Sequence, residues 1–182
     1  LDPDQLFQNF SQILNNRTFI AYTLIGSVTM SSLYGFIATS FDLLISQLNQ
    51  HPSTFAWQFA IVGVGSLTRS FISGRLSLKF GINLVIKIGI LITAISSFTF
   101  FMLSLNGVFT AMAIIVPFSI QRIGEAMISA KSMAGAITPL PEWAGSASSL
   151  LGFFKQMTGA TVAVLVGYFA DGTSLPMATA FL

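Results

Sequence analysis

The sequence predicts an all-α protein: a polytopic bundle of transmembrane helices. Three observations lead there. Only 8% of the residues are charged and 53% are hydrophobic, with a mean hydropathy of +0.79. A soluble domain carries about 25% charged residues, so this chain cannot clothe itself in charge in water. Five apolar segments each reach the roughly 20 residues that a helix needs to cross about 30 Å of hydrocarbon. Finally, the basic residues collect in alternate connections, the asymmetry that orients membrane proteins.

The elements follow in order. Residues 2–16 read DPDQLFQNFSQILNN. Asp2, Pro3 and Gln5 suit the N-cap, N1 and N3 positions of a helix. Leu6, Phe10, Ile13 and Leu14 then fall at i, i+4, i+7 and i+8, an amphipathic stripe. Residues 1–18 are therefore expected to be a cytoplasmic linker or a helix lying on the membrane surface. Residues 19–182 form the bundle, with spans at about 19–41, 54–76, 82–103, 108–131 and 147–170 by the apolar-run criterion. A sixth span opens at Pro176 and is partial over 176–182. The chain begins without Met and stops within that sixth pattern, so the sequence is expected to be a segment of a longer protein.

Orientation comes from the connections. Arg75 and Lys79 lie after the second span, flanked by Arg69 and Lys87, and Arg17 precedes the first. Lys131 and Lys155 flank the connection after the fourth, whereas 42–53, 104–107 and 171–175 hold no Lys or Arg. The positive-inside rule puts the N-terminus in the cytoplasm. Trp57 and Trp143 fall near span ends, as interfacial aromatic residues do.

Several function classes drop out. The chain has no Cys, a single His and no acidic cluster, so neither a metal site nor a cofactor is expected. A formal net charge of +2 gives no reason to expect nucleic acid. The sequence offers no nucleophile–base pair and no phosphate loop, so an enzyme reading has no support.

The fourth span raises the question of function. Residues 117–137 read PFSIQRIGEAMISAKSMAGAI, apolar and small apart from Arg122, Glu125 and Lys131. At about 100° per residue, with Arg122 at zero, Phe118 lies at about −40°, Glu125 at −60°, Gln121 at −100°, Ser129 at −20° and Ser132 at −80°. These six share one face about 100° wide, and Lys131 falls on the opposite face. With the span centred near residue 120, Arg122 lies about 3 Å and Glu125 about 7–8 Å past the midplane, and Lys131 about 16 Å past it. Lys131 thus reads as an interfacial anchor that snorkels. Arg122 and Glu125, at i and i+3, have two readings: a self-neutralised bridge that locks helix packing, or a cavity-facing pair that binds substrate or protons.

Other residues carry weaker signals. Arg69 reads as a partner of the inner loop or of lipid phosphate. Lys155, beside Gln156 and Thr158 in the fifth span, either faces a cavity or snorkels inward. In the first span Thr23, Ser27, Met30 and Tyr34 share a face that suits a drug-sized pocket or helix contacts. Gly159, Ala163 and Gly167 make a small-xxx-small packing run, and Pro117 and Gly124 are candidate kinks.

Three stretches carry a resemblance to a known family. Gly74-Arg75-Leu76-Ser77-Leu78-Lys79-Phe80-Gly81 is similar to the basic cytoplasmic loop of major facilitator superfamily transporters. Pro139-Leu140-Pro141-Glu142-Trp143-Ala144-Gly145-Ser146-Ala147-Ser148-Ser149-Leu150-Leu151-Gly152 resembles the P-x-x-x-x-AG-x-ASALLG run of their bicyclomycin/chloramphenicol-resistance type of drug:proton antiporter. Phe36-Ile37-Ala38-Thr39-Ser40-Phe41 resembles that type's YIS-x-SP ending of the seventh helix. The resemblance implies the C-terminal six-helix half of such a transporter, an inverted 3+3 repeat whose sixth helix is truncated here.

It further implies a proton-coupled efflux transporter working by alternating access in a bacterial inner membrane. Its partners would be a small-molecule substrate, protons, membrane lipids and an N-terminal six-helix half missing from this chain. Under this resemblance the first helix of each triplet lines the central cavity. Substrate binding and coupling then fall to Arg122, Glu125, Gln121, Phe118, Ser129, Lys155, Thr23 and Tyr34. Gly74, Arg75, Lys79 and Gly81 form the conformational-switch loop. Two features depart from the family pattern: the loop lacks the acidic residue of the superfamily's N-terminal copy, and Lys155 stands where the family usually has Gln. The excess of cations tilts the expected substrate towards a drug, siderophore or metabolite with anionic or zwitterionic character. The alternative is a non-transporting half-transporter, recruited as a structural or interaction subunit of a membrane assembly.

Overall fold

The structure is a computed structural model that describes residues 10–60, 62–63 and 81–181. Asp2, Pro3, Gln5, Leu6, Arg69, Gly74, Arg75 and Lys79, and most of the second expected span, lie outside the described residues.

The described residues are all-helical in their regular structure. In chain order the helices are α1 (10–15), α2 (Arg17–Phe41), α3 (52–60), α4 (Ile82–Leu105), α5 (Ala111–Ile137), α6 (Ala144–Tyr168) and α7 (Leu175–Phe181). Among the described residues, Arg17–Gln47, Asn83–Leu105, Ala111–Ile137 and Pro141–Tyr168 are long and apolar enough to cross a membrane. The protein is integral to a membrane.

Local chemistry sets the ends. Asn16 caps α2, its side-chain oxygen accepting from the backbone N–H of Thr18 at 3.0 Å and of Phe19 at 3.1 Å. Past Phe41 the helix continues as a π-helical stretch, Asp42–Gln47. Gly81 precedes α4 at φ 81°, a left-handed backbone that glycine adopts without a Cβ clash. Thr110 caps α5, accepting from Ala113 N at 3.2 Å. This helix runs on through Ile137, past Lys131, where the apolar span was expected to end. A charge marks where hydrocarbon stops, not where a helix must stop, and residues 132–136 stay helical. A short 3-10 turn, Pro141–Trp143, leads into α6. Between α6 and α7, Asp171 accepts from the hydroxyl and the backbone N–H of Thr173 at 2.6 and 2.9 Å, which hold its carboxyl below the usual carboxylate range.

Among the residues before the first span, the described ones, from Phe10 on, pack against the bundle. Ile13 is fully buried against Phe19, Ala136, Leu140, Ala147 and Leu151, with Phe10 packed alongside. Of the stripe read from the sequence, Phe10 and Ile13 meet the end of the bundle, Leu14 is exposed, and Leu6 lies outside the described residues.

α2 packs most closely on α6, and α4 on α5, with α2 also lying along α5. The α2–α5 contact is antiparallel: Tyr22 meets Gly135, Gly26 meets Ser132, Ser32 meets Glu125 and Phe36 meets Phe118. Two apolar clusters close its ends. One gathers Ile13, Phe19, Ala136, Ala147 and Leu151, and the other Phe36, Phe100, Ile114, Phe118 and Phe181. Phe36 and Phe118 stack at 3.7 Å between centroids with their planes 8° apart. The polar and charged side chains lie between these two layers.

Candidate functional site

The stripe read on the fourth span faces inward. Phe118, Gln121, Glu125 and Ser132 are buried, and Arg122 and Ser129 are half-buried. Arg122 Nη1 pairs with Glu125 Oε2 across one turn of α5. The other carboxylate oxygen, Oε1, accepts from Ser32 Oγ on α2. Glu125 is 2% exposed, and both its oxygens are engaged. That is how a charge survives in a bundle core: it is neutralised by a cation and its lone pairs are met.

Ser32 was not singled out in the sequence. It lies about 180° round α2 from Thr23, by 100° per residue. The buried face of α2 turns along its length, from Phe19, Thr23 and Gly26 near its start to Ser32, Phe36 and Thr39 further on. The helix leans on α6 and α5 together, so no single face serves it throughout. Projecting α2 alone cannot reveal Ser32; the antiparallel register with α5 does.

Lys155 lies one helix away, in the stripe that α6 buries with Ala147, Leu151, Gly159 and Val166. Its ammonium donates to Ser129 Oγ at 3.1 Å, so it does not snorkel out of the bundle. Gly26 lets it through: a Cβ built there would stand 2.7 Å from Lys155 Cε and 2.8 Å from Ser132 Oγ. Tyr34 is turned to α6. Its ring lies on Gly159, and its hydroxyl donates to Gln156 Oε1 at 2.7 Å. Thr23 is buried with no hydrogen-bond partner for its hydroxyl among the described residues. The fold thus joins Arg122, Glu125 and Ser32 in one group and Lys155, Ser129 and Gly26 in a second; Tyr34 joins neither. Of the small-residue run in α6, Gly159 makes a helix contact, while Gly167 is exposed.

Gln121 and Glu125 also border a cavity of about 680 Å³ between α2, α4, α5 and α7. Thr29, Ser32, Thr93 and Ser97 add polar groups to walls that are otherwise apolar. The oxygen Oε1 of Gln121 and the hydroxyl of Ser97 have no partner among the described residues. Arg122 does not line this space. Among the described residues no group of three or more His, Cys, Asp or Glu side chains comes together to hold a metal.

Comparisons with known proteins fit this architecture. Over 171 residues the chain is 26% identical to a protein of Haemophilus influenzae named bicyclomycin resistance protein homolog. It is 23% identical over 171 residues to an uncharacterised MFS-type transporter, YdgK, of Bacillus subtilis. Each match covers 93% of this chain, and the chain spans 42% of the length of each relative. Neither name is that of an enzyme. No family model matches the chain, and no solved structure matches it significantly. Along nearly its whole length the chain is therefore similar to part of a major facilitator superfamily transporter, and the share it spans fits one six-helix half.

Proposed function

We propose that this chain is the C-terminal six-helix half of a proton-coupled secondary transporter. It exports a small molecule, such as a drug, siderophore or anionic metabolite, by rocking against an N-terminal half. The observation that carries this reading is the buried Arg122–Glu125–Ser32 group. It sits where α2 crosses α5, the first helices of the two triplets, and it ties them through ionisable chemistry rather than apolar packing. Membrane-buried charge is costly, about 2.5–3.5 kcal/mol even on the mildest scale, and is retained mainly where it functions. In this reading Glu125 exchanges the coupled proton and Arg122 answers its change of charge. Gln121, Phe118, Ser129, Lys155, Thr23 and Tyr34 complete the polar and aromatic wall. Gly74, Arg75, Lys79 and Gly81 form the cytoplasmic turn that sets the inward–outward balance.

The test is proton-gradient-driven uptake of bicyclomycin by inverted membrane vesicles holding the full-length protein. Uptake is expected in the wild type and lost in Arg122→Gln/Glu125→Gln, with the variant still inserted and folded. Glu125→Gln alone should flatten the dependence of uptake on pH. Wild-type uptake by the double variant would reduce the pair to a packing bridge. No gradient-driven transport by the wild type would favour a structural subunit instead.

The same reading fixes topology in a bacterial inner membrane, with Arg17 at the cytoplasmic side. These 182 residues hold no native Cys, so a cysteine placed among them is the only one they contribute, and the unsubstituted full-length protein is the labelling blank. Ser53→Cys should react with an impermeant maleimide from outside, and Thr138→Cys only after the membrane is opened. The reverse pattern overturns the orientation.

A further inference from the structure

Arg122 and Lys155 both sit deep within their helices, and they differ in how their charge is met among the described residues. Arg122 is paired with Glu125. Lys155 is 8% exposed, and no acidic side chain among the described residues pairs with it. Its hydrogen-bond partner among the described residues is the neutral hydroxyl of Ser129. An ammonium has three N–H donors, so this one keeps capacity in reserve. Hydroxyls gather where its side chain passes Gly26: Ser129 bonds it, and Ser132 lies with it against Gly26. Ser129 and Ser132 come from α5, and Thr23 and Ser27 lie on α2 within about 100° of the face that carries Gly26. Thr23 is 5% and Ser27 4% exposed, and neither hydroxyl has a partner among the described residues.

A buried charge left without a counter-charge is expensive, and so is a buried hydroxyl left without a partner. Both deficits occur here together, and one visitor answers both: an anionic oxygen group that takes the spare ammonium donors and the idle hydroxyls. Arg122 is a poorer receptor, because its guanidinium already serves Glu125, and freeing it would orphan a carboxylate that is 2% exposed. We propose that Lys155, with Thr23, Ser27 and Ser129, receives the anionic group of the transported compound, a carboxylate or another singly charged oxyanion, and that Gly26 is the residue that positions it. This rests on the transporter reading. Gly26 acts through Lys155: it leaves the gap through which the side chain crosses α2 to reach α5. Lys155 is thereby the group that selects an anion, one of the several cations whose excess in the sequence pointed to an anionic or zwitterionic substrate.

Benzoate, benzamide and benzamidine have nearly one shape and carry −1, 0 and +1, so they isolate the charge. Their binding to the purified full-length protein is measured by displacement of radiolabelled benzoate, with thermal unfolding recorded for every variant. Wild type is expected to prefer benzoate to benzamide by at least tenfold. Lys155→Gln should lose that preference with benzamide affinity unchanged, and Lys155→Arg should keep most of it. Thr23→Val/Ser27→Ala, which alters no charge and little volume, should weaken benzoate several-fold and supplies the answer if Lys155→Gln does not fold. Gly26→Ala should also erase the preference while sparing benzamide, a selectivity change that a merely structural role would not produce. Equal binding of benzoate and benzamide by wild type, or an undiminished preference in Lys155→Gln or in Thr23→Val/Ser27→Ala, overturns the assignment. Vesicle uptake separates the two claims. Uptake of bicyclomycin without anion preference removes the site and keeps the transporter. Anion preference without uptake of any probe keeps the site and removes the transporter.

Discussion

Arg122→Gln on its own is expected to destabilise the bundle more than Arg122→Gln/Glu125→Gln together. The single change leaves the Glu125 carboxylate, 3% exposed at its side chain, with Ser32 as its remaining partner. Stranding one member of a buried pair typically costs about 3–5 kcal/mol, because the surviving charge has lost its compensation but not its burial. The double variant removes both charges and leaves two amides able to hydrogen-bond each other and Ser32, so its cost should be small. Glu125→Gln falls between them. The arginine it strands is 17% exposed and can turn its guanidinium towards water or lipid headgroups. Ser32→Ala removes a single donor to a charged acceptor, worth roughly 1.5–3 kcal/mol. Thermal or denaturant unfolding of the four variants in detergent gives the coupling energy directly. If the single costs simply add up to that of the double, the two side chains do not work as a pair.

This pair also shows how much the sequence discloses. Arg122 and Glu125 are three residues apart on one helix, so their meeting follows from helical geometry alone. The inward stripe of α5 was legible for the same reason: Phe118, Gln121, Glu125 and Ser132 are buried as their angles require. The all-helical architecture follows from apolar runs of membrane length. What depends on two helices at once was not legible. Ser32 completes the Glu125 site only through the antiparallel register of α2 and α5. Tyr34, read on a polar face of α2, lies against Gly159 because α6 offers it a gap there. Phe10 and Ile13, read as part of an amphipathic stripe, pack on the end of the bundle, a destination the pattern does not reveal, since it is the same whether the apolar face meets lipid or protein. Lys155 was balanced between a cavity and the membrane surface, and its fate turned on Gly26, a residue 129 positions earlier whose only signal is the lack of a side chain.

Gly124 should prove the least tolerant glycine among the described residues, for a reason of the same kind. At this point α4 and α5 touch backbone to backbone. A Cβ on Gly124 would lie 2.5 Å from the carbonyl oxygen of Gly89 and 2.4 Å from Thr93 Oγ1, and a Cβ on Gly89 would lie 2.8 Å from the carbonyl oxygen of Gly124. Thr93 cannot easily yield, because its hydroxyl is bonded to that same Gly89 carbonyl at 2.9 Å. Close backbone approach is what holds helices together where lipid supplies no hydrophobic drive between them. Gly124→Ala must therefore part the helices, with a loss of about 1–3 kcal/mol, and Gly124→Leu should lose considerably more. The damage reaches the charged group, since Glu125 is the next residue and its grip on Ser32 depends on where α5 lies. Gly167→Ala is the control: Gly167 is exposed on α6, and a Cβ there meets no described atom within 4 Å. Its stability should stay level or rise by a few tenths of a kcal/mol, as replacing an exposed helical glycine usually does. Unfolding midpoints in detergent compare the three variants. A Gly124→Ala protein as stable as Gly167→Ala would mean that α4 and α5 do not meet at their glycines.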